Sequence, residues 1–266
     1  MNNKIVIFFT ASLLAWGMAI CQQPDKPPLE KQIEHLEKYL AAARIAAVDR
    51  ETESGRTGGW DVILEKDGIR HRARFKHVNK HRPPDFFADS YQYELAAYVL
   101  NRMLSQTIIP PMVPREIDGV SGSLQIYMEN CSRESDVVRR NQDPPDPVLF
   151  KRAKIVIEIF ELLTADQCHD MEDTLIQADS WKVCRIDFSE AFKPDPTLSA
   201  DYTISGCSRL LYKELKKLKK EDLTTMLSAY LNADELDGLW QRAGLIIRVL
   251  DDLIKTNGED NILFDF

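Results

Sequence analysis

Three charged side chains carry the chemistry this sequence could perform. Lys76 ends a run of alternating apolar and polar residues, Glu94 sits on the helical pattern that follows, and Asp187 closes a later pair of short strand-like runs. Taken singly, each reads as an ordinary surface charge. Their order says more. A strand lysine paired with a helix glutamate can hold phosphate groups, and an aspartate behind a hairpin can hold a divalent cation that bridges those phosphates. Other groups point elsewhere. His77 and His81 form one i, i+4 pair in a Lys-, Arg- and Pro-rich loop, which reads as solvated histidines rather than a zinc site. The lysines from 213 to 220 interleave with Leu215 and Leu218, as on a solvated helix face.

The elements that must position these residues follow from the apolar spacing. Residues 29–47 carry Leu29, Ile33, Leu36, Leu40 and Ala43 at helical intervals, which predicts an amphipathic helix. Residues 60–76 alternate about the Asp67-Gly68 turn signal and predict a β-hairpin ending in Lys76. Residues 91–104 predict a helix bearing Glu94, residues 108–114 a proline-punctuated connector, and residues 119–129 a turn followed by a strand. The charged, Pro-bearing stretch 133–147 reads as an exposed crossing, and 150–163 as an apolar helix. Two short strands, 174–176 and 182–186, lead to Asp187, and three helices occupy 210–218, 220–231 and 234–257, the last capped by Asp234.

Composition sets the outer limits. The 266 residues, 44% hydrophobic and 29% charged, are enough for one large domain or two packed lobes. A net charge of −8 lacks the basic excess that nucleic-acid binding draws on, so no nucleic-acid partner is expected. Residues 1–20, with Lys4 before an apolar run, predict a signal or anchor segment, and 21–28 a linker. Three readings stand: a lipid attached at Cys21, simple secretion, or an uncleaved anchor. All place the rest of the chain outside the cytoplasm, two of them at a membrane through the N-terminus. In an oxidising compartment Cys131, Cys168, Cys184 and Cys207 admit three disulfide pairings.

The motif string resembles the kinase-like superfamily, in the branch of HipA-type, phosphoinositide-kinase-like and Four-jointed-type secretory kinases. The likeness runs over residues 55–255. Ala73-Arg74-Phe75-Lys76 matches the strand ending in Phe-Lys, and 91–98 the helix with Tyr, Glu and paired alanines. Residues 122–129 resemble the strand entering the hinge, and RIDFSEAF, 185–192, is similar to the metal-binding aspartate motif. The resemblance implies an α+β, two-lobed fold: a small antiparallel β-rich N-lobe with one main helix over 55–130, an inter-lobe linker at 131–149 and a helical C-lobe over 150–266. It implies nucleotide contacts at Lys76, Glu94, Met128 and Glu129, metal ligands at Asp173 and Asp187, and ATP with Mg²⁺ or Mn²⁺ as cofactors. Aligned without gaps, the family's catalytic aspartate falls on Cys168, which cannot orient a hydroxyl as a carboxylate does, and Asp170 or Asp166 could take its place.

Three functions fit this sequence. One is an exported pseudokinase or nucleotide-binding scaffold with an unknown protein partner. A second is an active, atypical ATP- and Mg²⁺-dependent phosphotransferase. The third is an envelope structural lipoprotein without a nucleotide site.

Overall fold

The computed structural model describes residues 28–50, 58–80, 88–166, 170–200 and 203–266. Residues 1–27, and with them the leader and Cys21, lie outside the described residues, as do His81 and Cys168.

The chain opens with α1 (Leu29–Ala42), followed by β1 (Arg44–Asp49), β2 (Trp60–Lys66) and β3 (Ile69–Lys76). The short β4 (Asn79–Lys80) and β5 (Asp89–Ser90) lead into α2 (Tyr91–Met103), and β6 (Met112–Ile117) and β7 (Val120–Ile126) complete an antiparallel five-stranded sheet of order β1-β2-β3-β7-β6. Both hairpin turns put two successive residues at positive φ, Asp67 (51°) with Gly68 (75°) and Asp118 (51°) with Gly119 (78°). Asp-Gly accepts that geometry cheaply and matches the twist of the strands it joins.

The first helix does not run to 47: it stops at Ala42, and 44–49 pairs with β2. Ile45, Ala46, Ala47 and Val48 continue an apolar rhythm that fits either period, and Arg115 holds the carbonyls of Leu40 and Ala43 where the helix ends. The connector at 108–114 contributes half of β6, where Pro114 is tolerated because β6 is an edge strand.

The second lobe begins at β8 (Cys131–Arg133) and α3 (Glu134–Arg139), so the expected linker is partly built into structure. Next come α4 (Pro147–Thr164), β9 (Thr174–Gln177) and β10 (Val183–Arg185), and the three strands form a sheet of order β10-β9-β8. Asp146 caps α4 by accepting from the N–H groups of Val148 and Leu149. Then follow β11 (Cys207–Ser208), α5 (Arg209–Lys217), α6 (Lys220–Leu227), α7 (Ala233–Asn257), α8 (Glu259–Ile262) and β12 (Leu263–Phe264), with β11 and β12 paired in parallel. The cap of α7 is Asn232, not Asp234. Its side chain accepts from Glu235 N–H while Glu235 reaches back to Asn232 N–H, a capping box that Asp234, one residue inside the helix, has no geometry to make.

Two apolar cores result. One sandwiches α1 against one face of the large sheet through Leu40, Val62, Leu64, Phe75 and Leu124. The other joins α2 to α4 and α7 through Leu100, Phe160, Leu163, Leu239 and Ile246, so α2 belongs to the packing of both lobes.

Candidate functional site

Alternation along β3 turns Ala73 and Phe75 toward α1 and leaves Arg72, Arg74 and Lys76 on the opposite face. Lys76 is the last residue of β3 and points at the start of α2. Its Nζ lies 2.5 Å from Glu94 Oε1 and 2.8 Å from Asp187 Oδ1. The approach is close, since a Cβ on Gly122 of β7 would collide with the Lys76 carbonyl and sit 2.6 Å from the Phe75 ring. Burial pulls the Lys76 ammonium down, but Glu94 and Asp187 outweigh it and hold its pKa above the ordinary lysine value. Glu94 is almost wholly buried. Burial raises its carboxyl above the usual range against the pull of Lys76, and it also accepts from the backbone N–H of Phe188.

Asp187 stands at φ 64°, a left-handed conformation that Asp adopts more readily than most residues. Burial pushes its carboxyl up, while the Lys76 charge and hydrogen bonds from Lys76 and Ser189 bring it well below the usual carboxylate range. The Ser189 hydroxyl donates to Asp187 Oδ1 at 2.9 Å, and Ser90 N–H donates to the Ser189 carbonyl at 2.9 Å, tying the start of α2 to the loop that carries Asp187. Asp89, one residue earlier, is a further carboxyl near the site. Burial raises its pKa, with a hydrogen bond from Ser189 and the charges of Asp187 and Lys76 also acting on it.

Asp173 precedes β9 and is held to the Asp187 strand by a 2.9 Å bond from Ile186 N–H to the Asp173 carbonyl. Its carboxyl is pushed up to about 6, first by burial and then by the charge of Asp187, with Arg185 and Lys76 pulling the other way. The charge of Asp187 thus reaches Asp173, while Lys76 lies beside Asp187 and Arg185 beside Asp173. Among the described residues no three His, Cys, Asp or Glu side chains are grouped so as to hold a metal ion.

Arg185 was not legible as a functional residue from spacing alone. Its side chain is fully buried and reaches Glu161 Oε1 (2.7 Å), Asp166 Oδ2 (3.3 Å) and Asp173 Oδ2 (3.4 Å), and it donates to the Ile186 carbonyl (2.5 Å). It fixes the end of α4, the following loop and Asp173 relative to one another. The available signal was an arginine inside the apolar run Val183-Cys184-Arg185-Ile186, since a charge buried there requires partners.

The two alternative base positions separate. Asp166 is buried and engaged by Arg185, which removes it from the cleft. Asp170 is exposed, its Oδ1 accepts from Glu172 N–H at 2.9 Å, and its carbonyl accepts from Asp173 N–H at 3.0 Å. Met128 is half-buried against the N-lobe core, whereas the exposed Glu129 lies 3.8 Å from Arg72. His77 is not the solvated histidine expected: its ring lies 4.6 Å from that of Trp60 at a tilt of 40° and is stacked 6.0 Å from that of Phe75, with Nδ1 buried and without a partner among the described residues. Cys131, Cys184 and Cys207 are free thiols, and burial pushes Cys184 up to about 11 and Cys207 to about 12.

Solved structures share this architecture. Hydra Fam20, in a structure with sugar, matches with a TM-score of 0.64 at 15% identity over 91% of this chain and 94% of that one. The Golgi casein kinase with Mn/ADP bound gives 0.59 at 13% identity over 88% and 79% of the two chains. The Helicobacter pylori proinflammatory kinase CtkA gives 0.50 at 8% identity over 83% and 98%. No family profile matches the sequence, and no curated protein matches it. At such identities the likeness is one of fold, and that fold is kinase-like: an antiparallel β-rich lobe with α1 and α2, and a mostly helical lobe.

Proposed function

We propose that this chain is an exported, kinase-like protein that binds a nucleoside triphosphate with Mg²⁺ or Mn²⁺ between its lobes and acts chiefly as a binding module. The observation that carries the reading is the Lys76 ammonium, held between Glu94 and Asp187 at 2.5 and 2.8 Å. In this reading Lys76 meets the phosphates while Glu94, buried and bonded to Phe188 N–H, keeps the lysine extended toward them. Asp173 and Asp187 offer hard oxygen donors, and a magnesium-sized cation commonly takes one or two carboxylates and completes its shell with phosphate and water. When bound, such a cation supplies neutralisation of phosphate charge. The Mn/ADP found in the Golgi casein kinase structure supports this assignment. Backbone groups at Met128 and Glu129 would face the base. The leader predicted at 1–20 and the compartment in that neighbour's name support export.

A second reading, an active phosphotransferase, is favoured by Asp170, whose exposed carboxylate lies in the turn that presents Asp173. There it would accept the proton of an attacking hydroxyl.

Thermal unfolding tests the binding. ATP with Mg²⁺ at one hundred times its dissociation constant should add about 2.7 kcal/mol, which is roughly 5–10 °C for a chain of this size. Asp187→Asn, which the φ of 64° accommodates, should remove the Mg²⁺-dependent part of the shift. No shift in the unsubstituted chain would sink the reading. ADP release that falls at least a hundredfold in Asp170→Asn would establish the second reading over the first.

A further inference from the structure

A pocket in the C-lobe has neither Lys76 nor Asp187 in its lining. It is a cavity of about 500 Å³ bounded by the loop after α2, the first half of α4, the β9–β10 turn and residues 265–266. Its walls are mainly apolar, with Ile108, Phe150, Ala153, Val156, Trp181 and Val183 among them. Ser105, Thr107 and Ser208 add neutral polar groups. The size and lining are those of a small-molecule site.

Trp181 gives the second observation. It occupies φ 54°, where a bulky side chain is a true outlier and Gly or Asn would be the ordinary occupant of the turn. Its ring stands edge-on to Phe150, with centroids 5.9 Å apart at 79°. Strain of this kind persists where the side chain is needed in place, and here it forms a cavity wall.

The third observation is connection. Ile108 and Val183 both line the space, and Arg185, two residues beyond Val183, donates its backbone N–H to the Ile108 carbonyl at 2.7 Å. The Arg185 side chain in turn reaches Asp173 at 3.4 Å. The cavity wall and the carboxylate pair are therefore joined through one strand.

We infer that this cavity is a binding site for a neutral aromatic small molecule bearing a hydroxyl or amide, and that its occupation steadies β10 and, through Arg185, the placement of Asp173. Aromatic walls in edge-on geometry suit a flat ring. Charge at the rim does not select an ion. Asp146 is spent on the α4 N–H groups, Lys182 and Asp265 are opposite in sign, and Asp265 also meets Arg209 at 3.5 Å. The regulatory half of the inference rests on the reading of Asp173 and Asp187 as the cation-holding pair. The binding half does not.

The test uses 2-naphthol titrated calorimetrically into the full chain, with amide hydrogen exchange read over residues 183–187. Saturable one-to-one binding is expected, weakened at least tenfold by Ala153→Phe, which fills the space, and by Trp181→Asn, which removes the wall while fitting the turn. Exchange at Arg185 and Ile186 should slow at least threefold when the probe is bound. Absence of saturable binding, or equal affinity in a folded Trp181→Asn variant, would overturn the site. Binding without slower exchange would overturn the coupling. A probe that binds a chain which fails to bind ATP leaves the cavity assignment standing and removes the nucleotide reading.

Discussion

Arg185 is the residue on which most of the local order depends. Its guanidinium satisfies Glu161 and Asp166, both buried, and reaches Asp173. Arg185→Met removes the guanidinium that contacts Glu161, Asp166 and Asp173, and breaking a buried ion pair in this way costs about 3–5 kcal/mol. Denaturant unfolding should show the midpoint falling accordingly with an unchanged slope. Asp173 gives a pH signature in the ligand-free chain. Its folded pKa of about 6 exceeds the ordinary 3.8, so the folded state holds this proton more tightly than the unfolded one. The resulting stability is fully present below pH 3.8 and is lost as pH rises through about 6. Asp173→Asn lacks that loss, so its melting temperature relative to the unsubstituted chain should rise by a few degrees between pH 5 and pH 7.5. A constant difference across that range would contradict the assignment. Lys76, Glu94 and Asp187 were legible as an ordered set because each falls at the edge of a recognisable element. Arg185 was not, since its role depends on partners drawn from two other segments.

At the scale of elements, turns were readable and strand beginnings were not. Asp67-Gly68 and Asp118-Gly119 announce hairpins through backbone freedom, a strictly local property. The start of β1 could not be separated from α1, because Ile45 and Val48 suit either period and only pairing with β2 decides between them. Pro114 likewise argued against a strand until β6 proved to be at the sheet edge. Gly122 is the element-level feature with the most direct link to the site. With no room for a Cβ beside the Lys76 carbonyl and the Phe75 ring, Gly122→Ala must part β7 from β3. A loss of about 1–3 kcal/mol is expected, together with weaker ATP binding than that stability loss alone explains. Asn232→Ala, which removes one arm of the α7 capping box and no atom of the Lys76–Glu94–Asp187 group, should cost about 1 kcal/mol and leave ATP affinity unchanged. Equal effects of the two substitutions on affinity would detach Gly122 from the site.

For the molecule as a whole, α2 is held from both sides. The Tyr98 hydroxyl donates to Glu37 of α1 at 2.5 Å, the Tyr93 hydroxyl donates to Glu235 of α7, and Ser90 bonds to Ser189. Glu94 is therefore placed against Lys76 without any ligand, and amide exchange in α2 should change less than twofold when ATP and Mg²⁺ are added. A tenfold slowing would mean that α2 docks on binding instead. The closure of the second lobe has a different consequence. β11 at Cys207–Ser208 finds its only strand partner among the described residues in β12 at Leu263–Phe264, and Arg209 reaches Glu259, Asp260 and Asp265. During synthesis on the ribosome, the sheet lobe has every strand it needs once β7 has emerged, whereas β11 must wait, unpaired, for residue 263. Vectorial synthesis thus gives the two lobes different birth times, and the interval between them is when this chain has most need of a chaperone.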